Sequence, residues 1–309
     1  MKQAVIDIGS NSIRLSLYSV ESDCDFKILF KEKIMAGLAG YVENGALSAE
    51  GVARACSALL EFKNTLELLN IQRASVFATA SLRNVSNTQE ALTKIEAATG
   101  FVIELLSGEE EAQLGYAGAM QELQISGGVF VDIGGASTEL VTFEGGDVKT
   151  FMSFSVGSLS LYRSCVKNIL PNTASLKRIE DTLRTEIDEK SLLPIEKRSP
   201  LVCVGGTSRA VLKLAKKQFD LSETCRCVTA RQFKHLCSVL RRGDKEAADL
   251  ILKTDADRIH TLVPGIMILR HIRSHFAANK LIVGNYGIRE GYLCQRILKN
   301  NTYTHKTGS

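Results

Sequence analysis

This 309-residue chain predicts an α/β protein of two lobes, each opening with a strand–turn–strand hairpin and continuing as a mixed sheet flanked by helices. The first observation behind this is an internal repeat. Ala4–Tyr18 reads AVIDIGSNSIRLSLY and Val129–Phe143 reads VFVDIGGASTELVTF. The two align without a gap at an offset of 125 residues and share D-I-G-x-x-S-x-x-L. The second is period: after the first bend Ile13, Leu15 and Leu17 alternate with Arg14, Ser16 and Tyr18, as in a strand. A nucleotide-binding βαβ unit needs a helix directly after its glycines, and none follows here, which speaks against a Rossmann site. The third is the alternation of strand and helix signals along the rest of the chain.

In order, helical periodicity runs over Ser48–Asn70, with Val52, Ala55, Leu59, Leu60, Leu66 and Leu69 as its apolar face. A buried-strand run follows at Ala74–Thr79, then a helix at Asn87–Thr99, a strand at Phe101–Leu105 and a helix from Glu109 to about Leu123. The second lobe reads as strands to about Phe154, then helices near Ser158–Lys167 and Asn172–Lys190. The short strand Leu201–Val204 ends in Gly205-Gly206-Thr207 and enters a helix over Ser208–Lys217. Ile259–Phe276 is long and apolar, Leu281–Val283 is a final strand, and Arg289–Lys299 a last helix. The lobes are expected at 1–124 and 125–288, with 289–309 packing back on the first and Asn300–Ser309 a polar tail.

Composition excludes several classes. The apolar share of 45% and charged share of 23% are those of a soluble globular protein, and no window approaches the roughly 20 apolar residues of a membrane span. The start, MKQAVIDIGSNS, lacks the apolar run of a signal peptide, so a cytoplasmic location is expected. Eight cysteines without regular spacing suit that reducing compartment. Cys225, Cys227, His235 and Cys237 match no usual zinc spacing and read as small hydrophobes. Residues 1–150 carry 11 Lys and Arg against 20 Asp and Glu; residues 151–309 carry 27 against 14. That asymmetry suits a cation on one half and a polyanion on the other, but two differently solvated surfaces explain it equally well.

The candidate chemistry lies in the bends. Gly9-Ser10-Asn11-Ser12, Gly134-Gly135-Ala136-Ser137-Thr138 and Gly205-Gly206-Thr207 each follow a buried strand and can turn backbone N–H groups toward phosphate. Asp7 and Asp132 hold equivalent positions at the strand ends, where they can serve a cation such as Mg²⁺ or cap their own turns. Ser107-Gly108-Glu109-Glu110-Glu111 offers a base for water, although three acids at a helix start also fit simple capping. Spacing cannot choose among the glutamates. Arg14 and Arg83 are candidates to neutralise a phosphoryl group.

These residues, taken as DIGSNSIRL at Asp7–Leu15, ATASLRNVSN at Ala78–Asn87, SGEEEA at Ser107–Ala112, DIGGASTEL at Asp132–Leu140, VGGT at Val204–Thr207 and GIREGYL at Gly287–Leu293, resemble the exopolyphosphatase/guanosine pentaphosphate phosphohydrolase family. That family belongs with acetate and sugar kinases, heat-shock chaperones and actin. The resemblance implies two actin-like (ribonuclease H-like) lobes with a cleft between them. It implies Glu111 as catalytic base, Glu139 as a second acid near phosphate and water, and Arg83 as a phosphate-contacting arginine. Asp7, Asp132 and Glu139 would hold Mg²⁺, with Mn²⁺ as a substitute and room for a monovalent cation. The implied substrate is inorganic polyphosphate or guanosine pentaphosphate, and the implied assembly a homodimer, with neither nucleic-acid polymer nor membrane as partner.

Two departures stand out: Ala136 replaces a third glycine, and the chain resembles the short, two-domain branch. Polyphosphate needs repeated positive contacts, for which Lys213, Lys216, Lys217, Arg241, Arg242, Arg270 and Arg273 are candidates, each also readable as ordinary helix surface. Phosphotransfer to ADP, a non-catalytic alarmone or nucleotide sensor and an actin-like assembly module are the alternatives on the same scaffold.

Overall fold

The computed structural model describes residues 1–22, 25–189 and 199–299. Along the chain come β1 (Lys2–Ile8), β2 (Ile13–Ser22), β3 (Asp25–Ile34), the short β4 (Val42–Glu43) and β5 (Ala46–Leu47), α1 (Ala49–Leu68), β6 (Ala74–Ala78), α2 (Ala80–Arg83), α3 (Thr88–Thr99), β7 (Ile103–Leu105) and α4 (Gly108–Glu122). There follow β8 (Gly127–Ile133), β9 (Thr138–Glu144), β10 (Asp147–Phe154), α5 (Ser158–Cys165) and α6 (Thr173–Leu183), which passes into a π-helical stretch over Arg184–Glu189. Then come β11 (Leu201–Val204), α7 (Gly205–Phe219), β12 (Cys227–Thr229), α8 (Ala230–Leu240), α9 (Lys245–Asp255), α10 (Leu262–His275), β13 (Lys280–Val283) and α11 (Ile288–Tyr292), continued as π-helix over Leu293–Leu298. Lys190 and the Asn300–Ser309 tail lie outside the described residues.

The chain folds as two compact units: Met1–Gly118 together with the chain from Ile288 onward, and Ala119–Gly287. In the first, the described strands order as β3-β2-β1-β6-β7, with β1–β3 antiparallel and β1, β6 and β7 parallel. In the second the order is β10-β9-β8-β11-β13-β12, with the same antiparallel trio, parallel β8, β11 and β13, and an antiparallel edge strand β12. The sequence repeat is therefore a repeat of topology. The ribonuclease H-like order is built twice.

In the first unit, alternation along β1 and β2 gives the sheet two faces. Ala4, Ile6, Ile8, Ile13, Leu15 and Leu17 enter one core with α1 and α3. Val5, Tyr18 and Phe77 enter another with Leu114 of α4 and with Tyr292 and Leu293 of the C-terminal segment. Ser48 caps α1, its Oγ accepting from Gly51 N–H at 3.2 Å. The buried stripe of α1 is Ala55, Leu59, Phe62 and Leu66. Leu60 and Leu69, expected on the apolar face, are exposed. One residue is a 100° rotation, so Leu60 cannot share the stripe of Leu59; Phe62 continues it instead.

The C-terminal segment approaches α4 backbone to backbone. A Cβ at Gly291 would stand 1.8 Å from the Leu114 carbonyl oxygen. Gly291→Ala is therefore expected to lower unfolding free energy by about 3 kcal/mol or more. Gly127→Ala, whose nearest neighbour would be 3.6 Å away, serves as the control. Equal urea midpoints for the two variants would count against this packing.

In the second unit, Val129, Val131, Ile133 and Leu140 of the sheet pack with Ala210, Val211 and Leu214 of α7 and with Ile266 and Leu269 of α10. No helix among the described residues is long and apolar enough to cross a membrane.

Candidate active site

In the first hairpin, Gly9 N–H donates to Ser12 O at 3.2 Å. The carbonyls of Ser10 and Asn11 accept from Ala39 N (3.0 Å) and Gly37 N (2.9 Å). Each peptide is planar and trans, so fixing those oxygens on one side projects the N–H groups of Asn11 and Ser12 to the other. Arg14 Nε donates to Ser12 Oγ at 2.9 Å and ties the basic side chain to the turn.

The second hairpin repeats the device. Gly134 N–H donates to Ser137 O at 2.9 Å. The start of α5 takes the turn's carbonyls: Ser158 N bonds Gly134 O at 3.0 Å, while Leu159 N and Ser160 N both bond Gly135 O at 2.9 Å. The N–H groups of Gly135 and Ala136 consequently point away from α5. Ala136 is not among the left-handed residues, so its methyl adds no backbone strain. Ser137 is buried, and buried Thr138 donates to Val156 O at 2.6 Å. The third glycine motif differs in form: Gly205-Gly206-Thr207 is itself the first turn of α7, with Gly205 at φ +83°.

The acids are sorted by their contacts. Ser107 and Glu110 form a reciprocal cap, Ser107 N–H donating to Glu110 Oε2 at 2.9 Å and Glu110 N–H to Ser107 Oγ at 3.1 Å. Glu110 also pairs with Arg296. The Ser107 backbone N–H, ahead of Arg296, holds its carboxyl below the usual range. Glu109 accepts from Gln113 Nε2 at 3.1 Å in an exposed contact. Glu111 alone of the three meets Arg83: Nη1 lies 2.9 Å from Oε2, and the two side chains are 18% and 14% exposed. The same Arg83 Nη1 donates to Leu106 O at 2.9 Å, which fixes the guanidinium.

Asp7 lies at the end of β1, buried and directly across from Arg14 in the β1–β2 register. Burial pushes its carboxyl up; Arg289 and then Arg14 pull it back down, and Glu290 adds to the rise. Asp132 occupies the matching place in β8, but its cross-strand partner is Glu139. Glu139 is buried and accepts from Ser153 Oγ at 3.0 Å. Two carboxylates opposed on one face repel unless a cation or proton lies between them. Mg²⁺ binds through one or two carboxylates, with waters and phosphate oxygens completing its shell, so this pair fits such an ion. Among the described residues no group of three or more His, Cys, Asp and Glu is placed to hold a metal, the Cys225–Cys237 stretch included. Of its cysteines only Cys237 is buried; Cys225 and Cys227 are partly exposed.

Two residues that sequence reasoning missed shape the second unit's turns. A Cβ at Gly157 would stand 2.4 Å from the Gly135 carbonyl carbon and 2.5 Å from Ala136 N. Arg258 lays its guanidinium against Gly206, where a Cβ would fall 1.7 Å from Nη2. Its Nε is 3.4 Å from Asp255 Oδ2. No local pattern marks either residue, since both contacts cross long stretches of chain. The basic residues expected to track polyphosphate are largely engaged. Arg241 and Arg270 share Glu180 at 3.0 Å each, Arg242 pairs with Asp244 and Glu246, and Lys216 with Glu223. Arg273 donates to Ala278 O at 3.2 Å, Lys217 to Lys253 O at 3.5 Å, and Lys213 is exposed.

Two ribonuclease H-like units, each closing its first hairpin with a turn that frees backbone N–H groups from the sheet, define an α/β fold with one strand order used twice. The chain belongs to the Ppx/GppA phosphatase family, whose sequence pattern covers residues 17–300. Relatives called guanosine-5'-triphosphate,3'-diphosphate pyrophosphatase are 33% identical over 70% of this chain in Vibrio vulnificus and 31% identical over 98% of it in Vibrio parahaemolyticus. The chain spans 44% and 61% of their respective lengths. Among solved structures, the Ppx/GppA family member of Aquifex aeolicus superposes with a TM-score of 0.77 at 26% identity, covering 97% of this chain and 99% of its own. An exopolyphosphatase from Cytophaga hutchinsonii superposes with a TM-score of 0.85 over 97% of this chain and 98% of its own; at 20% identity it bears on the fold alone.

Proposed function

We propose that the protein is a phosphohydrolase that releases terminal orthophosphate from a phosphoanhydride chain, inorganic polyphosphate in the first place. The observation that carries this reading is the Arg83–Glu111 pair, which sets one glutamate of three apart from helix capping. Glu111 takes a proton from water, whose oxygen attacks the terminal phosphorus in line. The bridging P–O bond breaks, and its electron pair stays with the shortened chain. N–H groups of the Gly9–Ser12 and Gly134–Thr138 turns and of the Gly205-Gly206-Thr207 helix start bind phosphate oxygens. Arg14, Arg83 and Arg258 offset their charge. Asp132 and Glu139 would hold Mg²⁺, and Asp7 serves the phosphate turn of its own hairpin, beside Gly9. When bound, the ion neutralises charge developing on the phosphoryl oxygens. A homodimer working in the cytoplasm completes the reading.

Guanosine pentaphosphate is the second reading, supported by the names of the Vibrio relatives. Phosphate release from short polyphosphate, long polyphosphate and guanosine pentaphosphate, compared side by side with and without ADP, tests both. Faster release from polyphosphate is expected, and preference for the nucleotide would establish the second reading. ATP formed in the ADP arm would indicate phosphotransfer. Chelation is expected to abolish release and added Mg²⁺ to restore it; full activity in chelator would remove the Asp132–Glu139 cation site.

A further inference from the structure

Of the segments that carry the family resemblance, Gly287–Leu293 is the one to which the mechanism above gives no task. In the structure it reads β2 side chain by side chain. Arg289 Nη1 donates to Ser16 Oγ at 2.9 Å, and Ser16 is fully buried. The next residue, Glu290, is 1% exposed; it accepts from Tyr18 OH at 3.0 Å and lies 3.2 Å from Lys31 Nζ. Further on, Tyr292 OH donates to Glu104, and the Tyr292 ring lies 4.8 Å from that of Phe77.

Arg14, Ser16 and Tyr18 share one face of β2, and Asp7 opposes Arg14 on that face. Ser16, which anchors Arg289, lies two residues along the strand from Arg14, so the guanidinium is held on the face where Asp7 stands. A buried carboxylate at a hairpin end has many wrong orientations and few neighbours that discriminate among them. A guanidinium pinned by a buried hydroxyl supplies that discrimination.

We propose that Arg289 is a positioning residue for Asp7, delivered to the phosphate-binding hairpin by the C-terminal segment. This rests on the reading that Asp7 works at the reaction centre. Arg289→Met keeps the unbranched apolar stem of the side chain and removes its charge. It is expected to lower kcat about 10–100-fold, the usual cost of losing an outer-shell partner. KM should change less than about threefold, and the melting temperature of the metal-free protein should stay within about 4 °C.

Arg289→Lys is expected to recover most of the loss. In the Asp7→Asn background Arg289→Met should have no further effect, because the two act as one unit. Glu290→Gln loosens the same segment without touching the arginine, so it should lower stability more than kcat. The inference is overturned if Arg289→Met keeps wild-type kcat while Asp7→Asn is impaired, if the two losses multiply, or if Glu290→Gln lowers kcat as far as Arg289→Met does. Wild-type kcat in Asp7→Asn would instead remove Asp7 from the reaction centre. Should Arg289→Met fail to fold, lysine against glutamine at 289 gives the same comparison, and a lysine no better than glutamine overturns the inference.

Discussion

Glu111→Gln is expected to reduce turnover by about 10²–10⁴-fold while leaving substrate affinity nearly intact. The amide keeps the size of the carboxylate and can still accept from Arg83 Nη1, so the local packing should survive. What it loses is the capacity to take a proton from water. Its neighbours provide internal controls. Glu110→Gln would weaken the Ser107 cap and the Arg296 pair, costing about 0.5–2 kcal/mol of stability, with turnover largely preserved. Glu109→Gln, at an exposed position, should be close to silent. Pre-steady-state phosphate release from all three variants separates the roles. A wild-type rate in Glu111→Gln would move the base to Glu110 or Glu139.

Gly157→Ala is expected to be the most damaging substitution of a single methyl in the second unit's turn. The new carbon has no flexible neighbour to displace: it meets the Gly135 carbonyl carbon at 2.4 Å, the Ala136 nitrogen at 2.5 Å and the Gly135 oxygen at 2.5 Å. Either α5 or the turn must move, and the bonds from Ser158, Leu159 and Ser160 that orient the turn are lost with it. Overpacking of this kind costs about 1–3 kcal/mol. A displacement of about 1 Å at a binding turn can cost about 10²-fold in kcat/KM. Ala136→Gly, one contact away, should change activity little, because Ala136 already has an ordinary backbone conformation. Urea titration and kcat/KM measured on both variants check this. Wild-type kcat/KM in Gly157→Ala would show that the turn's placement does not limit catalysis.

Much of this architecture was legible because it is written twice. The gapless repeat gives Asp7 and Asp132 equivalent places at the ends of their strands; the pairing of those strands adds what each one faces, Arg14 and Glu139. The same repeat hides the chemical difference between the hairpins, an acid facing a base in one and an acid facing an acid in the other. The three-glutamate run was ambiguous in sequence for a physical reason. All three favour a helix start, and only the fold shows which one reaches an arginine 28 residues away. Gly157 and Arg258 were invisible because their partners are brought to them by tertiary packing, with no local spacing to betray it. The basic residues of the second half were open to two readings, a polyanion track or ordinary helix surface. Their number suggested a polyanion track, yet Arg241 and Arg270 converge on the single carboxylate of Glu180, which leaves less positive surface than the count implies.

The proposed reaction is attack of Glu111-activated water on the terminal phosphorus. It can be measured directly by turning over polyphosphate in oxygen-18 water and analysing both products by mass spectrometry. One solvent oxygen in each released orthophosphate, none in the shortened chain, and loss of both release and label in Glu111→Gln is the expected result. Label appearing in the chain instead, or a labelled product formed at the wild-type rate by Glu111→Gln, would contradict it.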